Sequence, residues 1–328
     1  MNRAAAAIAA IVGLFVLVQL AALALVAPFD AAGYQAVPDS QTSNPVNSLV
    51  YVAGILVATG VMLAAFKFGV DGLVRLFVVA SATFISYYVF SVVLPVVVVA
   101  GVSAPAAVAS LVVAGALLLY PEWYVIDAAG VVMGGGAAGL FGISFGVLPT
   151  IVLLSVLAVY DAISVYGTEH MLDLASGVMD LKIPVLLVVP LSLSYSFLDA
   201  AESDREAMSG DGGEPNEGED AATEDDSEGL DRDAFFIGLG DAVMPTVLVA
   251  SAAHFVEAPA VLLGANLPAL AAAVGTLVGL VVLMRFVVRG RAHAGLPLLN
   301  GGAIAGYLLG ALAVGIPLVE ALGLAPYL

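Results

Sequence analysis

Nine apolar stretches constrain the fold of this chain more than any other feature of its sequence. About 20 apolar residues in a helix cross the ~30 Å hydrocarbon core of a bilayer. Because 62% of the 328 residues are hydrophobic and only 11% are charged, the composition excludes an ordinary soluble domain. We therefore expect an all-α polytopic membrane protein with nine transmembrane helices. They are expected at residues 4–27, 48–69, 75–100, 104–120, 123–143, 147–166, 234–255, 264–288 and 296–316.

The basic residues predict the orientation of these helices, because Lys and Arg in short loops collect on the cytoplasmic side. With a cytoplasmic N-terminus, nine crossings put all nine Lys and Arg residues inside, and the outer loops, such as residues 28–47, carry none. A further apolar segment, residues 183–197, contains Pro184 and Pro190 and is too short for a helical crossing. We expect it to be re-entrant or interfacial. A tenth crossing here would move the following arginines outside.

One strongly acidic segment divides the chain. Residues 199–233 hold 15 Asp or Glu against two Arg, so that 13 of the 18 excess negative charges lie there. Its low apolar content and self-repulsion predict a disordered, solvated cytoplasmic loop. Residues 1–198 then contain helices one to six and the re-entrant segment, and residues 234–328 contain helices seven to nine.

Two carboxylates lie within apolar stretches on either side of this loop. Asp161 is the only charge in the sixth stretch, and Asp241 follows the front of the seventh in "IGLGDAVMP". In the nine-helix arrangement both lie about six or seven residues from the inner helix end, or about 10 Å below the same face. A carboxylate in a membrane helix costs at least ~2.5–3.5 kcal/mol and marks a functional site. Gly238, one turn before Asp241, is expected to let another helix approach closely.

Two carboxyls held together in a medium of low dielectric share one proton. The ionised member can take a proton from water while the protonated member polarises a scissile carbonyl. The pair therefore predicts hydrolysis by an activated water, with Asp161 and Asp241 as catalytic residues. A carboxylate-dependent transporter or proton pathway is an alternative, and a non-catalytic scaffold is a third. The sequence has no convincing internal repeat of the kind typical of transporters, which favours hydrolysis.

The residues around both carboxylates resemble a known family. Tyr160-Asp161 on one helix and Gly238-Leu239-Gly240-Asp241 on the next, with a large polar loop between them, resemble the paired motifs of the presenilin and signal peptide peptidase family. The archaeal presenilin-like branch is the most similar. The resemblance implies a nine-helix intramembrane aspartyl protease in the cell membrane that cuts single-pass transmembrane helices or signal-peptide remnants. We expect no cofactor, no metal and no nucleic acid, and the partners are the transmembrane substrate and the lipid bilayer.

The family has a third motif, Pro-Ala-Leu, at the start of its last helix. A literal copy at Pro268-Ala269-Leu270 starts the eighth helix at its outer end, ~30 Å from the inner face, so we do not assign it to the site. Ala294-Gly295-Leu296-Pro297, at the inner end of the ninth helix, fits better, although Ala294 stands where the motif has Pro. Gly295 and Pro297 predict an extended backbone at this point.

The resemblance also implies that an unwound substrate segment pairs as a β-strand with enzyme backbone near the site. Ile183 to Val189 is the expected edge. The residues expected to support the catalytic pair or to bind substrate are Tyr160, Gly238, Leu239, Gly240, Gly295, Leu296 and Pro297.

Overall fold

The computed structural model describes residues 3–68, 70–167, 186–191, 196, 234–262, 264–288 and 294–327. Within these ranges the chain forms nine helices of 16 residues or more. They are α1 (Arg3–Ala31), α2 (Val46–Lys67), α3 (Asp71–Val93), α4 (Ala104–Leu119), α5 (Trp123–Ser144), α6 (Val147–Gly167), α7 (Leu239–Phe255), α8 (Leu267–Val287) and α9 (Gly295–Ala313). A short helix α10 (Leu318–Ala321) and two 3₁₀ turns (Asp39–Gln41, Ala325–Tyr327) complete the helical part.

Six of these helices are long and apolar enough to cross a membrane. They are Ala5–Ala31, Gly72–Val93, Trp123–Ser144, Val147–Tyr166, Leu267–Val287 and Gly295–Ala313. Shorter apolar stretches cover Val46–Met62, Ala104–Leu119 and Leu239–Phe255. Large apolar side chains remain exposed on outward helix faces, as with Val57, Phe77 and Leu111, and faces of this kind suit a lipid surrounding better than water.

The described residues are mostly helical, as expected of an all-α membrane protein, and they also contain three short two-stranded antiparallel sheets that the sequence did not predict. The strands are β1 (Val98–Val99) with β2 (Val102–Ser103), β3 (Leu186–Pro190) with β4 (Ala234–Gly238), and β5 (Ala260–Leu262) with β6 (Ala265–Asn266). The first hairpin explains why α3 ends at Val93 rather than near residue 100. Pro95 disfavours helical backbone at the residue before it, and Ala100 and Gly101 then turn the chain with φ of 52° and 82°, the left-handed backbone that tight hairpins require.

The second hairpin changes the two segments that flank the acidic loop. Leu186 pairs with Gly238 and Pro190 with Ala234, so residues 186–190 of the expected re-entrant segment form a strand. Because residues 234–238 form a strand, the seventh helix begins at Leu239, five residues after the expected start at residue 234. Residues 183–185, 192–195 and 197, and the whole acidic loop at 199–233, lie outside the described residues.

Helix α5 has most of its residues buried, and its glycine triplet brings three neighbours close. Gly134 faces Leu239 and Val243 of α7, Gly135 faces Ala21 of α1, and Gly136 faces Val89 of α3. A methyl group at any of these three positions would press against the neighbouring residue. Because α5 contacts α1, α3 and α7 at one level, it holds the start of α7 against the rest of the fold.

Helices α8 and α9 pack with their backbones in contact. A methyl group at Gly275 would collide with the carbonyl of Gly302, and one at Gly279 with the carbonyl of Leu298. Small residues permit such close approach between membrane helices. Since Leu298 lies in the first turn of α9, α8 fixes where α9 begins.

Candidate active site

Asp161 lies on α6, six residues before the helix ends at Gly167, as expected from the sequence. Its side chain is buried, and its Oδ2 accepts a hydrogen bond of 3.0 Å from the backbone amide of Leu296. The amide of Gly295 interacts with the same carboxyl. Both amides belong to the first turn of α9, where backbone N–H groups have no acceptor within the helix. The positive end of the helix dipole favours a carboxylate at this position.

Asp241 is the third residue of α7, so the expectation that it lies about seven residues inside the helix was wrong. The helix starts later because residues 234–238 form a strand. Gly238 ends that strand and caps α7 with φ −59° and ψ 129°. A β-carbon at Gly238 would meet only the Asp241 carboxyl, 3.5 Å from Oδ2. Gly238 therefore makes room for the Asp241 side chain and not, as expected, for a neighbouring helix.

The start of α9 brings the two carboxyls together. A β-carbon at Gly295 would lie 3.6 Å from Oδ2 of Asp241, while the amide of the next residue, Leu296, binds Asp161. The carboxyls are close enough for their charges to interact. By solvent-accessible area Asp161 is buried and Asp241 is partly exposed.

The backbone at Ala294-Gly295-Leu296-Pro297 is mostly helical, which contradicts the expected extended segment. Only Ala294 is extended, with φ −61° and ψ 124°, and α9 begins at Gly295. Pro297 is compatible with this helix because residues in the first turn do not need a backbone N–H, which proline lacks. The amide of Ala294 donates to the hydroxyl of Tyr166 at 3.4 Å, so this segment is held to α6 by several backbone amides.

The literal Pro-Ala-Leu copy lies away from the site. A β-carbon at Gly310 of α9 would meet the Cα of Pro268 at 2.9 Å. Gly310 is 15 residues along α9 from Gly295, which is about 22 Å in a helix. This placement agrees with the assignment of the third motif to residues 294–297.

The remaining expected site residues have different surroundings. Tyr160 and Gly240 are exposed, and Leu239 is buried against Gly130 and Gly134 of α5. Pro297 lines an open cavity of about 280 Å³ between α6 and α9, together with Ala158, Ala162 and Asn300.

A further carboxylate, the buried Asp127, was not predicted as a site residue. Asp127 of α5 accepts a hydrogen bond of 2.8 Å from the backbone amide of Val188 in β3. One edge of β3 pairs with β4, and at Val188 the other edge bonds to Asp127. The substrate-binding edge expected at Ile183 to Val189 is therefore already occupied at Val188. Ile183 to Val185 lie outside the described residues. Its sequence signal is a carboxylate inside an apolar stretch, which by itself does not point to the re-entrant segment.

Comparison with known proteins decides the family. The sequence model of "Signal-peptide peptidase, presenilin aspartyl protease" matches residues 12–316. The chain belongs to the signal-peptide peptidase and presenilin family of aspartyl proteases. A solved structure of a presenilin family intramembrane aspartate protease, in space group C222, is 33% identical and has a TM-score of 0.63, with 93% of this chain and 99% of that chain covered. One in space group P2 is 32% identical, with a TM-score of 0.60 and coverage of 92% and 96%. A comparison with curated proteins gives no match.

Family membership establishes the class of reaction. This presenilin-family chain is an intramembrane aspartic endopeptidase and an integral, multi-pass membrane protein whose substrates are transmembrane segments. The family assignment gives no support to the alternative of a transporter or proton pathway.

Proposed function

We propose that Asp161 and Asp241 are the catalytic pair of this protease. The observation that carries the proposal is that both carboxyls lie at the start of α9: the amide of Leu296 bonds to Asp161, and a β-carbon at Gly295 would lie 3.6 Å from Oδ2 of Asp241. Three separate helices thus meet at one point, and two of them contribute a carboxyl. The direct test is whether purified protein in lipid still cleaves a single-pass helix when either Asp is replaced by asparagine.

The pair shares one proton before the reaction. The ionised carboxyl takes a proton from water as the water oxygen bonds to the scissile carbonyl carbon, and the protonated carboxyl gives its proton to the carbonyl oxygen. When the C–N bond breaks, the amine takes the proton held by the first carboxyl. A hydroxyl proton of the tetrahedral intermediate returns to the second carboxyl. The pair ends with one proton, ready for another turn.

This mechanism predicts the fate of isotopically labelled water. In H₂¹⁸O, each new C-terminal carboxylate should gain one ¹⁸O, because the attacking water supplies one of its oxygens. Added hydroxylamine should give no hydroxamate, because no acyl-enzyme forms. Mass spectrometry of the two products measures both. Product incubated alone in H₂¹⁸O controls for later exchange, and a trapped hydroxamate would contradict the direct attack of water.

The amide of Leu296 should contribute to catalysis through its bond to Asp161. Replacing Leu296 by proline removes this N–H, while the first turn of a helix tolerates proline. We expect kcat to fall about 10- to 100-fold, the loss typical of a hydrogen bond to a charged group. Leu296→Ala keeps the N–H and is the matched control. An equal loss in both variants would assign the effect to the leucine side chain instead.

We infer that an unwound substrate segment lies along β4. At Val188 the outer edge of β3 is occupied by Asp127, whereas β4 runs through Gly238 directly into the helix that carries Asp241. A strand added to β4 would pass the carboxyl pair with its peptide bonds extended. Helical remnants of signal peptides and single-pass proteins, once unwound, are the substrates that fit.

We also infer that all nine long helices cross the cell membrane, with a cytoplasmic N-terminus. The Arg75 guanidinium, in the first turn of α3, donates to the Leu118 carbonyl just before α4 ends. A basic side chain thus joins two helix ends on the side expected to be cytoplasmic. The acidic loop at 199–233 would lie on this same side.

A further inference from the structure

Asp127 is a carboxylate that the proposed reaction does not use. It lies on α5, five residues after the buried Glu122, and within the described part of the chain its partner is the backbone amide of Val188. A polar group at this depth is costly unless it is bonded. A hydrophobic side chain would fill the same place at lower cost, so the hydrogen bond to Val188 needs a reason.

One face of α5 contacts β3 and the start of α7, the helix that carries Asp241. Asp127, Gly130 and Gly134 are spaced by three and four residues and so share this face. Asp127 binds the amide of Val188. A β-carbon at Gly130 would meet the Leu187 side chain at 3.0 Å, and one at Gly134 would meet Leu239 of α7 at 3.2 Å. The three positions contact β3 and then the first residue of α7.

The pairing of the hairpin carries this placement to the active site. Val188 pairs with Phe236, and Leu186 pairs with Gly238, the cap of α7. Asp241 follows three residues after Gly238. A second carboxylate, Glu122 at the N-cap of α5, acts beyond β3, where its Oε1 accepts a hydrogen bond of 2.8 Å from the hydroxyl of Ser196. The start of α5 thus holds the β3 segment at two points.

We propose that Asp127 is a positioning residue: by binding the Val188 amide it holds the β3–β4 hairpin on α5 and so fixes the place of Asp241 relative to Asp161. The inference rests on the proposed catalytic role of Asp241. It assigns Asp127 no contact with substrate and no proton transfer. The hydrogen bond is its function, so a neutral side chain with an acceptor oxygen can replace it.

The test compares Asp127→Ala with Asp127→Asn in purified protein in lipid nanodiscs. In Asp127→Ala, residues 186–190 and 234–241 should exchange their amide hydrogens about 2- to 10-fold faster, as expected from the loss of one hydrogen bond. The value of kcat should fall about 10- to 100-fold, the cost of a small misplacement of a catalytic group, with KM nearly unchanged. Asp127→Asn keeps an acceptor oxygen and should restore both values.

The outcomes separate this inference from the catalytic assignment. Unchanged exchange in Asp127→Ala, or changed exchange with unchanged kcat, overturns the positioning role. An equal loss of kcat in Asp127→Asn and Asp127→Ala also overturns it, because the charge would then matter. Hydrogen exchange does not depend on which residues catalyse the reaction. It therefore still measures how firmly the hairpin is held if Asp241 is not a catalytic residue.

A second variant keeps the test valid if Asp127→Ala does not fold. Gly130→Ala leaves Asp127 intact but places a methyl group against Leu187 of β3, and it should lower kcat in the same way. Gly139→Ala is its matched control on the same helix, because its methyl group would meet Phe29 of α1 at 3.2 Å, away from the hairpin. Equal kcat values for these two variants would overturn the proposal.

Discussion

Replacing either Asp161 or Asp241 by asparagine is expected to lower intramembrane cleavage by about 10²- to 10⁴-fold, the contribution typical of a general acid or base. Asparagine has nearly the same shape but cannot take or give the proton that the pair shares. The double variant should lose little more than either single variant, because residues that act as a unit are not additive. Cleavage of a labelled single-pass helix by reconstituted protein measures the effect.

The control for this prediction is a carboxylate at the opposite end of the fold. Asp30 is exposed near the end of α1 and lies 3.9 Å from His254, so Asp30→Asn should keep full activity. All variants should unfold at nearly the same temperature as the wild type, which separates lost chemistry from lost structure. Substantial cleavage by either Asp161→Asn or Asp241→Asn would refute the assignment of the pair.

The second large effect is expected from Gly279→Ala in α8. The added methyl group would collide with the carbonyl of Leu298, and a backbone atom in a helix cannot move aside as a side chain can. We expect stability to fall by about 1–3 kcal/mol or more, as overpacking usually costs. Cleavage should also fall in the protein that remains folded, because Leu298 is only two residues beyond the amide that binds Asp161. Unfolding at increasing concentrations of a denaturing detergent measures the stability, and the cleavage assay measures the remaining activity.

Gly301→Ala is the matched control for that prediction. Gly301 lies on α9 near the same level, is exposed, and has no atom within 4 Å of an added β-carbon. Alanine favours a helix over glycine by up to about 1 kcal/mol, so stability should be unchanged or slightly higher. A Gly279→Ala protein as stable and active as Gly301→Ala would contradict the close packing of α8 on α9.

The helices could be predicted from sequence because each apolar stretch carries its own signal. The breaks at Pro121 and at the acidic loop are also local. The start of α7 could not be predicted, because Ala234 to Gly238 are apolar residues that suit either a helix or a strand. Only pairing with β3, across a long stretch of chain, selects the strand. The placement of Asp241 in the first turn of α7 follows from that distant partner.

The site residues divide in the same way. Asp161 and Asp241 can be proposed from sequence as the catalytic pair because a charge in an apolar stretch stands out by itself. The role of Gly295 and Leu296 was assigned to an extended backbone, whereas the structure has a helix N-terminus whose amides contact a carboxyl. Asp127 was also visible as a charge. Its partner is a backbone amide, which every residue except proline carries, so the interaction could not be predicted from the sequence.

The bond from Leu296 to Asp161 has a consequence for how freely this segment can vary. The donor is main chain, so the side chain at position 296 is free to change as long as the residue has an N–H and fits the first turn of α9. The same holds at position 294, where alanine replaces the proline of the family motif and its amide bonds to Tyr166. A protein engineer could therefore vary these two side chains, within the space their neighbours leave, while the hold on the carboxyl stays intact.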